Sequence, residues 1–373
     1  MHSGAPSLPA TPVVATFVAM TRPRTFMAPG RVNLMGDHTD YNDGFVLPLA
    51  IDRACTVTMA PGARVNEVIA RSTTLEGAVT VHTDGRDDPR TVEPAWGGFV
   101  AGVVRVLEQR GVGVEPSELT IDTTVPVGSG LSSSSALAVA LTLALAGTPL
   151  DRLDAALAAS TAETLATGVP GGLMDQLASL FGRAGHALLI DCRSNEVIPV
   201  PIPPSIAVLV VHCGVPRTLV GSAYASRRAG CEATARSLGI TALRDATPEQ
   251  VRGDRRARHV VAENTRVLAT ADALPGGDLS VLGPLLLESH ASLRDDYEVS
   301  TPELDVLAEL LVECGAAGAR LTGAGFGGCV VALAQRNHAD DVLAKTALRY
   351  RAATGLEPTG FVARAVDGAR RLD

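Results

Sequence analysis

The sequence predicts a two-lobed α+β protein with a cleft between its lobes, on three observations. Its 373 residues exceed one small domain and suit two of ordinary size. Strand-like and helix-like segments mix in both halves. A proline cluster, Pro199, Pro201, Pro203 and Pro204, falls near the middle and makes the best boundary. The lobes are therefore expected at 26–198 and 199–373, behind a flexible tail, 1–25, rich in Pro, Ala and Thr.

In the first half, Cys55–Met59 and Ala78–His82 read as strands. Trp96–Arg110 carries Phe99, Val103, Val106 and Leu107 at helical spacing and stops at Gly111. Leu119–Val125 reads as a strand feeding a Gly/Ser loop, Ala136–Ala146 as a buried helix, and Leu150–Ala166 as an amphipathic one. Ala187–Asp191 closes this half as a strand. In the second half, Ala207–Val211 and Cys329–Leu333 read as strands. Helices are expected near 222–237, 255–271 and 302–314, and a last helix and strand follow.

Composition removes several function classes. A net charge of −8 repels nucleic acid and anionic lipid. The longest apolar run, Ala136–Ala146, is too short to span a bilayer, and the N-terminus lacks a signal-peptide core, so a cytoplasmic protein is expected. The six cysteines are scattered and form no C-x-x-C pair, which points to free thiols rather than a zinc site or disulfides. Lys345 is the single lysine. A phosphate-binding lysine inside the chain is thus excluded, and bound phosphates must be held by backbone N–H groups, arginine and a metal.

The segment Val125-Pro126-Val127-Gly128-Ser129-Gly130-Leu131-Ser132-Ser133-Ser134-Ser135-Ala136 joins a strand to an apolar helix. Its glycines permit close approach to a ligand, and its serines bring hydroxyls and free N–H groups to a helix N-terminus, an anion site by geometry and dipole. One serine suffices for a cap; four in a row exceed that need. The G-K-[ST] ending of a Walker loop is missing. A second glycine-rich segment, Leu321–Gly328, matches G-x-G-x-x-G but precedes a strand, so it reads as a turn lying over a ligand or a plain hairpin. Between Ala28 and Pro48, Arg31, Asp37, His38, Asp40, Tyr41, Asn42 and Asp43 crowd together, the donors and acceptors that sugar hydroxyls need.

These segments carry a resemblance. Gly30–Tyr41 is similar to the galactokinase signature, and 126–136 and 321–328 look like the second and third motifs of the GHMP kinases. The likeness continues through Met174-Asp175-Gln176, 186–194, 217–232 and 288–296, nearly the whole chain after residue 25. It implies a ribosomal-protein-S5-like N-terminal lobe and a ferredoxin-like C-terminal lobe. It further implies an ATP-dependent sugar 1-kinase that phosphorylates galactose.

The resemblance also implies roles. Asp175 matches the catalytic aspartate and Arg31 the arginine beside it, which would hold Asp175 ionised. Arg31, Asp37, His38, Asp40, Gly172, Asp175 and Tyr224 fall on sugar-binding positions. ATP is expected at Trp96, Pro126, Gly128, Ser129, Gly130, Leu131, Ser132, Ser133, Ser134 and Gly325, and Mg2+ on Ser134 and Glu163. ATP and a sugar are the expected partners, with the chain a monomer or weak dimer.

Two departures bear on the sugar. Asp37 stands where the family has glutamate, and Pro170 stands where it usually has asparagine, removing an amide that holds the loop or touches the sugar. Ser135-Ala136 replaces a usual Ala-Ser. Arabinose, N-acetylgalactosamine and galacturonate are therefore alternative substrates, with the carboxylate of galacturonate disfavoured by Asp37. A catalytically silent galactose sensor is the alternative of a different class, against which the intact Arg31, Ser134, Glu163 and Asp175 speak.

Overall fold

The computed structural model describes residues 22–215 and 220–372. A six-stranded sheet forms the first layer, in the order β13 (Arg370–Arg371), β1 (Arg24–Asn33), β3 (Pro48–Pro61), β6 (Ser117–Thr123), β4 (Glu67–Ser72), β5 (Ala78–His82). All neighbours are antiparallel except β4 and β6. A three-stranded sheet, β2 (Phe45–Val46), β7 (His186–Asp191), β8 (Glu196–Pro201), lies beside it. Against these pack α1 (Gly97–Gln109), α2 (Ser133–Leu145), α3 (Arg152–Thr167) and α4 (Met174–Phe181).

The second half builds a four-stranded antiparallel sheet, β10 (Gly318–Thr322), β11 (Cys329–Gln335), β9 (Ile206–His212), β12 (Thr359–Ala363). This is the strand order of a ferredoxin-like βαββαβ unit. Its helices are α5 (Val220–Leu238), α6 (Arg255–Ala273), α7 (Leu279–Asp295), α8 (Pro302–Glu313) and α9 (Ala339–Thr354).

α2 is apolar on every side because it is enclosed: α1, α3 and α4 flank it and β1 and β3 lie beneath. Small residues make that packing possible. A Cβ on Gly102 of α1 would stand 2.7 Å from the Ala162 carbonyl of α3, so the two helices meet backbone to backbone.

The proline cluster spans a strand and the turn that follows it. Pro199 and Pro201 sit in β8, an edge strand, where proline costs no ladder bond. A tight turn, with the Ile206 N–H donating to Pro203 O at 2.9 Å, then enters β9. β9 alternates across two cores: Ile206, Val208 and Val210 face the first, Ala207, Leu209 and Val211 the second. The lobes are thus fused through a shared sheet. The expected tail is shorter than its boundary at 25, since Arg24 and Thr25 pair with β3; residues 1–21 lie outside the described residues. The sequence does not predict strands β1 and β4 or helix α7, because glycine, arginine or proline within them masks their periodicity, nor α4, whose eight residues are too few to show one.

Gly102→Val is expected to destabilise the protein by about 1–3 kcal/mol through overpacking of the α1–α3 contact. Urea unfolding measures this; an unchanged midpoint would show that the helices part at little cost.

Candidate active site

α2 begins without a side-chain cap. Its N-cap residue, Ser132, holds φ +61° and turns its hydroxyl away from the helix, donating to Asp175 Oδ2 at 2.6 Å. The first N–H groups of α2 therefore keep their free donor capacity at the positive end of the helix dipole. Ser132 therefore does not serve as a helix cap. The preceding turn is fixed by the Ser129 hydroxyl, which donates to Pro126 O at 2.7 Å.

Asp175 lies in the first turn of α4. Its Oδ1 accepts from Arg31 Nε at 2.7 Å, while Arg31 Nη1 donates to Gly130 O at 2.7 Å. Arg31, on β1, is buried and its own N–H bonds to Leu131 O at 3.1 Å. Three segments distant in sequence thus meet at one ion pair.

Glu163, near the end of α3, accepts through Oε2 from Ser135 Oγ at 2.8 Å and Gln176 Nε2 at 2.7 Å. Burial pushes its carboxyl up; Ser134, Ser135 and Gln176 pull it down, against the charge of Asp175. Among the described residues no cationic side chain pairs with it. Ser135 thus joins the expected Ser134 at this carboxylate.

A cleft of about 330 Å³ runs from Glu163 and Asp175 to the loop between β1 and β2. Asp37, His38, Asp40, Gly172 and Tyr224 all line it. Asp40 lies against Gly172 so closely that a Cβ there would stand 1.9 Å from its Oδ2, so only glycine fits. Burial and the neighbouring Asp175 push the Asp40 carboxyl up to about 7. Burial pushes His38 down to about 3, leaving a neutral ring whose Nδ1 meets Tyr41 OH at 2.9 Å.

Asp37 differs from expectation. Its Oδ2 pairs with Arg320 Nη2 at 2.5 Å and its Oδ1 accepts the Gly323 N–H at 2.9 Å. Arg320 is fully buried and also donates to Leu34 O at 3.0 Å. Asp37 therefore presents no uncompensated charge to the cleft, and the argument that it would repel a carboxylate sugar fails. Glu263 of α6 completes the group: it accepts from the Gly36 N–H at 3.0 Å, Ser289 Oγ at 2.7 Å and Arg266 Nε at 2.7 Å. Burial opposes its ionisation, but Arg320 and Arg266 outweigh it and hold it at about 2. The lost amide at Pro170 has a structural substitute, since Arg228 Nη1 holds the Pro170 carbonyl at 3.1 Å.

Of the phosphate loop only Ser135 lines this cleft; the expected ATP contacts lie outside its wall, Trp96 and Gly325 among them. Trp96 packs on the first core and donates its indole N–H to Glu76 O at 3.2 Å. Gly325 lies against Val299, and Gly323 and Ala324 line the cleft in its place. Sequence reading missed the bond of Ser132 to Asp175 and the parts played by Gln176, Arg228 and Arg320. Only Arg320 left a signal: a charge inside the apolar run Gly318–Thr322 needs a buried partner.

Comparisons with known proteins agree with this geometry. The galactokinase galactose-binding signature matches residues 15–61, the GHMP kinases N terminal domain 98–183 and the GHMP kinases C terminal 270–351. The chain is 45% identical to a galactokinase of Roseiflexus sp. (strain RS-1), covering 92% of each chain. It is 41% identical to one of Haemophilus influenzae (strain ATCC 51907 / DSM 11121 / KW20 / Rd), covering 93% of this chain and 94% of the other. The crystal structure of Lactococcus lactis galactokinase complexed with galactose superposes with a TM-score of 0.88 at 32% identity, covering 94% of this chain and 96% of that one. The Methanococcus jannaschii mevalonate kinase, at 17% identity and a TM-score of 0.69, shares the fold. With its signature, both kinase domains and relatives of this similarity along nearly its whole length, the chain belongs to the galactokinase family of GHMP kinases.

Proposed function

We propose that the protein transfers the γ-phosphate of ATP to the anomeric hydroxyl of galactose, giving galactose 1-phosphate and ADP. The observation that carries this reading is the Arg31–Asp175–Ser132 junction, which places a carboxylate where the phosphate loop meets the polar cleft. The 1-hydroxyl oxygen attacks the γ-phosphorus, the bond to the β-bridging oxygen breaks, and the hydroxyl proton passes to Asp175. Arg31 holds Asp175 in place and stabilises charge developing on the transferred group. The N–H groups opening α2 cradle the phosphates, and Asp37, His38, Asp40, Gly172 and Tyr224 orient the sugar.

The donor set suits Mg2+. Glu163 is a carboxylate without a cationic partner among the described residues, the hydroxyls of Ser134 and Ser135 lie beside it, and Gln176 Oε1 is buried with no hydrogen-bond partner. Hard oxygen donors of this kind, with phosphate and water completing the shell, are what magnesium takes. Bound there on Glu163 and Ser134, it would offset the triphosphate charge.

We assign the N-terminal lobe to 26–198 and the C-terminal lobe to 199–373. No helix among the described residues is long and apolar enough to cross a membrane. A cytoplasmic monomer or weak dimer is the matching cellular form, supported by the net charge of −8.

Purified protein with ATP, magnesium and a panel of galactose, 2-deoxygalactose, N-acetylgalactosamine, arabinose, galacturonate and glucose tests the substrate. Galactose should give the highest kcat/KM; binding without turnover on any sugar would establish a sensor instead. Asp175→Asn keeps the shape of the junction and should lower kcat by about 10²–10⁴-fold. An Asn variant with near-parental kcat would remove Asp175 from proton transfer. Glu163→Gln should raise the magnesium concentration for half-maximal rate at least about tenfold, as loss of metal-supporting groups does, with little change in the KM for galactose.

Asp40 gives a pH dependence. With its carboxyl at about 7 in the empty cleft, the ionised form that accepts a sugar hydroxyl is lost as pH falls through that value. The KM for galactose should therefore rise below about pH 7, approaching tenfold per pH unit. Asp40→Asn should bind more weakly throughout with a flat profile; a parental profile in that variant would assign the dependence elsewhere.

A further inference from the structure

A second cavity, of about 290 Å³, opens at the far end of the helices that carry the active site. Its floor is apolar, made by Phe26, Leu143, Leu150 and Leu180. Its rim carries four guanidinium groups, from Arg24, Arg152, Arg370 and Arg371, and no carboxylate side chain lines it. Among the described residues Arg24, Arg152 and Arg370 form no ion pair. Arg152 instead lies over the Phe181 ring, 5.7 Å from its centroid, and Arg370 Nη1 donates to the carbonyls of Asp367 and Gly368 at 3.5 and 3.3 Å. Asp151, beside Arg152, is engaged in capping α3 through the Leu153 N–H at 2.8 Å.

Arg24, Arg152 and Arg370 thus bring three like charges to one cavity with no ion pair among the described residues. The carbonyl ends of α2 and α4 each supply about half a negative charge, and the first turn of α3 returns about half a positive one. A surplus of roughly two to three positive charges remains on these three arginines. Guanidinium forks match carboxylate and phosphate oxygens two at a time, while the apolar floor favours an organic body over an inorganic ion. The volume is close to the lower limit for small-molecule sites.

We propose that this cavity binds a small amphipathic anion, a monophosphate ester with an aromatic or short aliphatic body, and that its occupancy is coupled to the active site. The coupling path is short and continuous. Leu143 and Ala146 end the segment that begins at the phosphate loop, Leu180 is on the helix whose first turn holds Asp175, and Arg152 starts the helix that carries Glu163. A ligand touching all three far ends acts on the three groups that meet triphosphate, metal and sugar. The span is about 20 Å, from 13 residues at about 1.5 Å each.

Calorimetry on the full chain tests the site. 1-Naphthyl phosphate is titrated with galactose and a non-hydrolysable ATP analogue saturating the active site, alongside inorganic phosphate and 1-naphthol as half-ligands. The ester should bind at one site at least about tenfold more tightly than either half. Arg24→Ser with Arg152→Ser should weaken it about tenfold or more, and so should Thr148→Trp, which fills the cavity from its exposed rim. These variants lie outside the catalytic groups and should keep the parental circular dichroism and kcat. Binding no tighter than that of inorganic phosphate, or undiminished in both variants, overturns the site. Saturating 1-naphthyl phosphate should change kcat or the KM for ATP at least about twofold in the parent and not in the double variant. Binding with both constants unchanged overturns the coupling.

Discussion

The buried Arg320 guanidinium is the constraint on which the sugar side of the cleft depends. It belongs to a strand of the second lobe, yet its partners are the carbonyl of Leu34 and the carboxylate of Asp37 in the first, with Glu263 at 3.7 Å. A charge with no exposed surface must be neutralised where it lies, because burying an unpaired ion costs several kcal/mol. The signature loop is therefore locked against the second lobe. The same loop is held again by Asn264, which accepts the Phe45 N–H at 2.8 Å, and by the Tyr41–Tyr297 hydroxyl contact at 2.7 Å. Asp37, His38 and Asp40 face the cleft because β10, α6 and the segment after α7 leave the loop no other conformation. The polar crowding between Ala28 and Pro48 is half cleft lining and half interlobe joint.

On the nucleotide side the organising interaction is smaller but of the same kind. Asp175 draws in both Arg31 and the Ser132 hydroxyl, and by doing so it strips α2 of its cap. The groups proposed for proton acceptance and phosphate binding are thus coupled by one carboxylate. Its removal would free the serine to cap the helix as well as delete a base.

Much of this was legible in the sequence because the relevant residues sit in short, dense motifs. The serine run, the Arg31–Tyr41 segment and the Gly-rich turn before β11 each carry their chemistry within about a dozen residues. Glu163 and Asp175 were placed only through family likeness, for their neighbours hold no local pattern. The interlobe pairing of Arg320 with Asp37 was illegible, since 283 positions separate the two residues and neither sequence context names the other. Part of the proline cluster lies inside a strand for a physical reason: proline marks turns, but an edge strand tolerates it equally well. Asp37 was read as a free charge because a sequence shows a carboxylate and not its counter-ion.

The shared sheet has a consequence for biosynthesis. Val208, Val210, Val267, Leu282, Val331 and Ala363 all belong to the first core, and the short strand Arg370–Arg371 closes the edge of the first sheet beside β1. A nascent chain that has delivered only the N-terminal lobe to the solvent still exposes the apolar face those residues cover. The first lobe can reach its native packing only after Ala363 and Arg370–Arg371 have been translated, so synthesis of the second lobe precedes completion of the first.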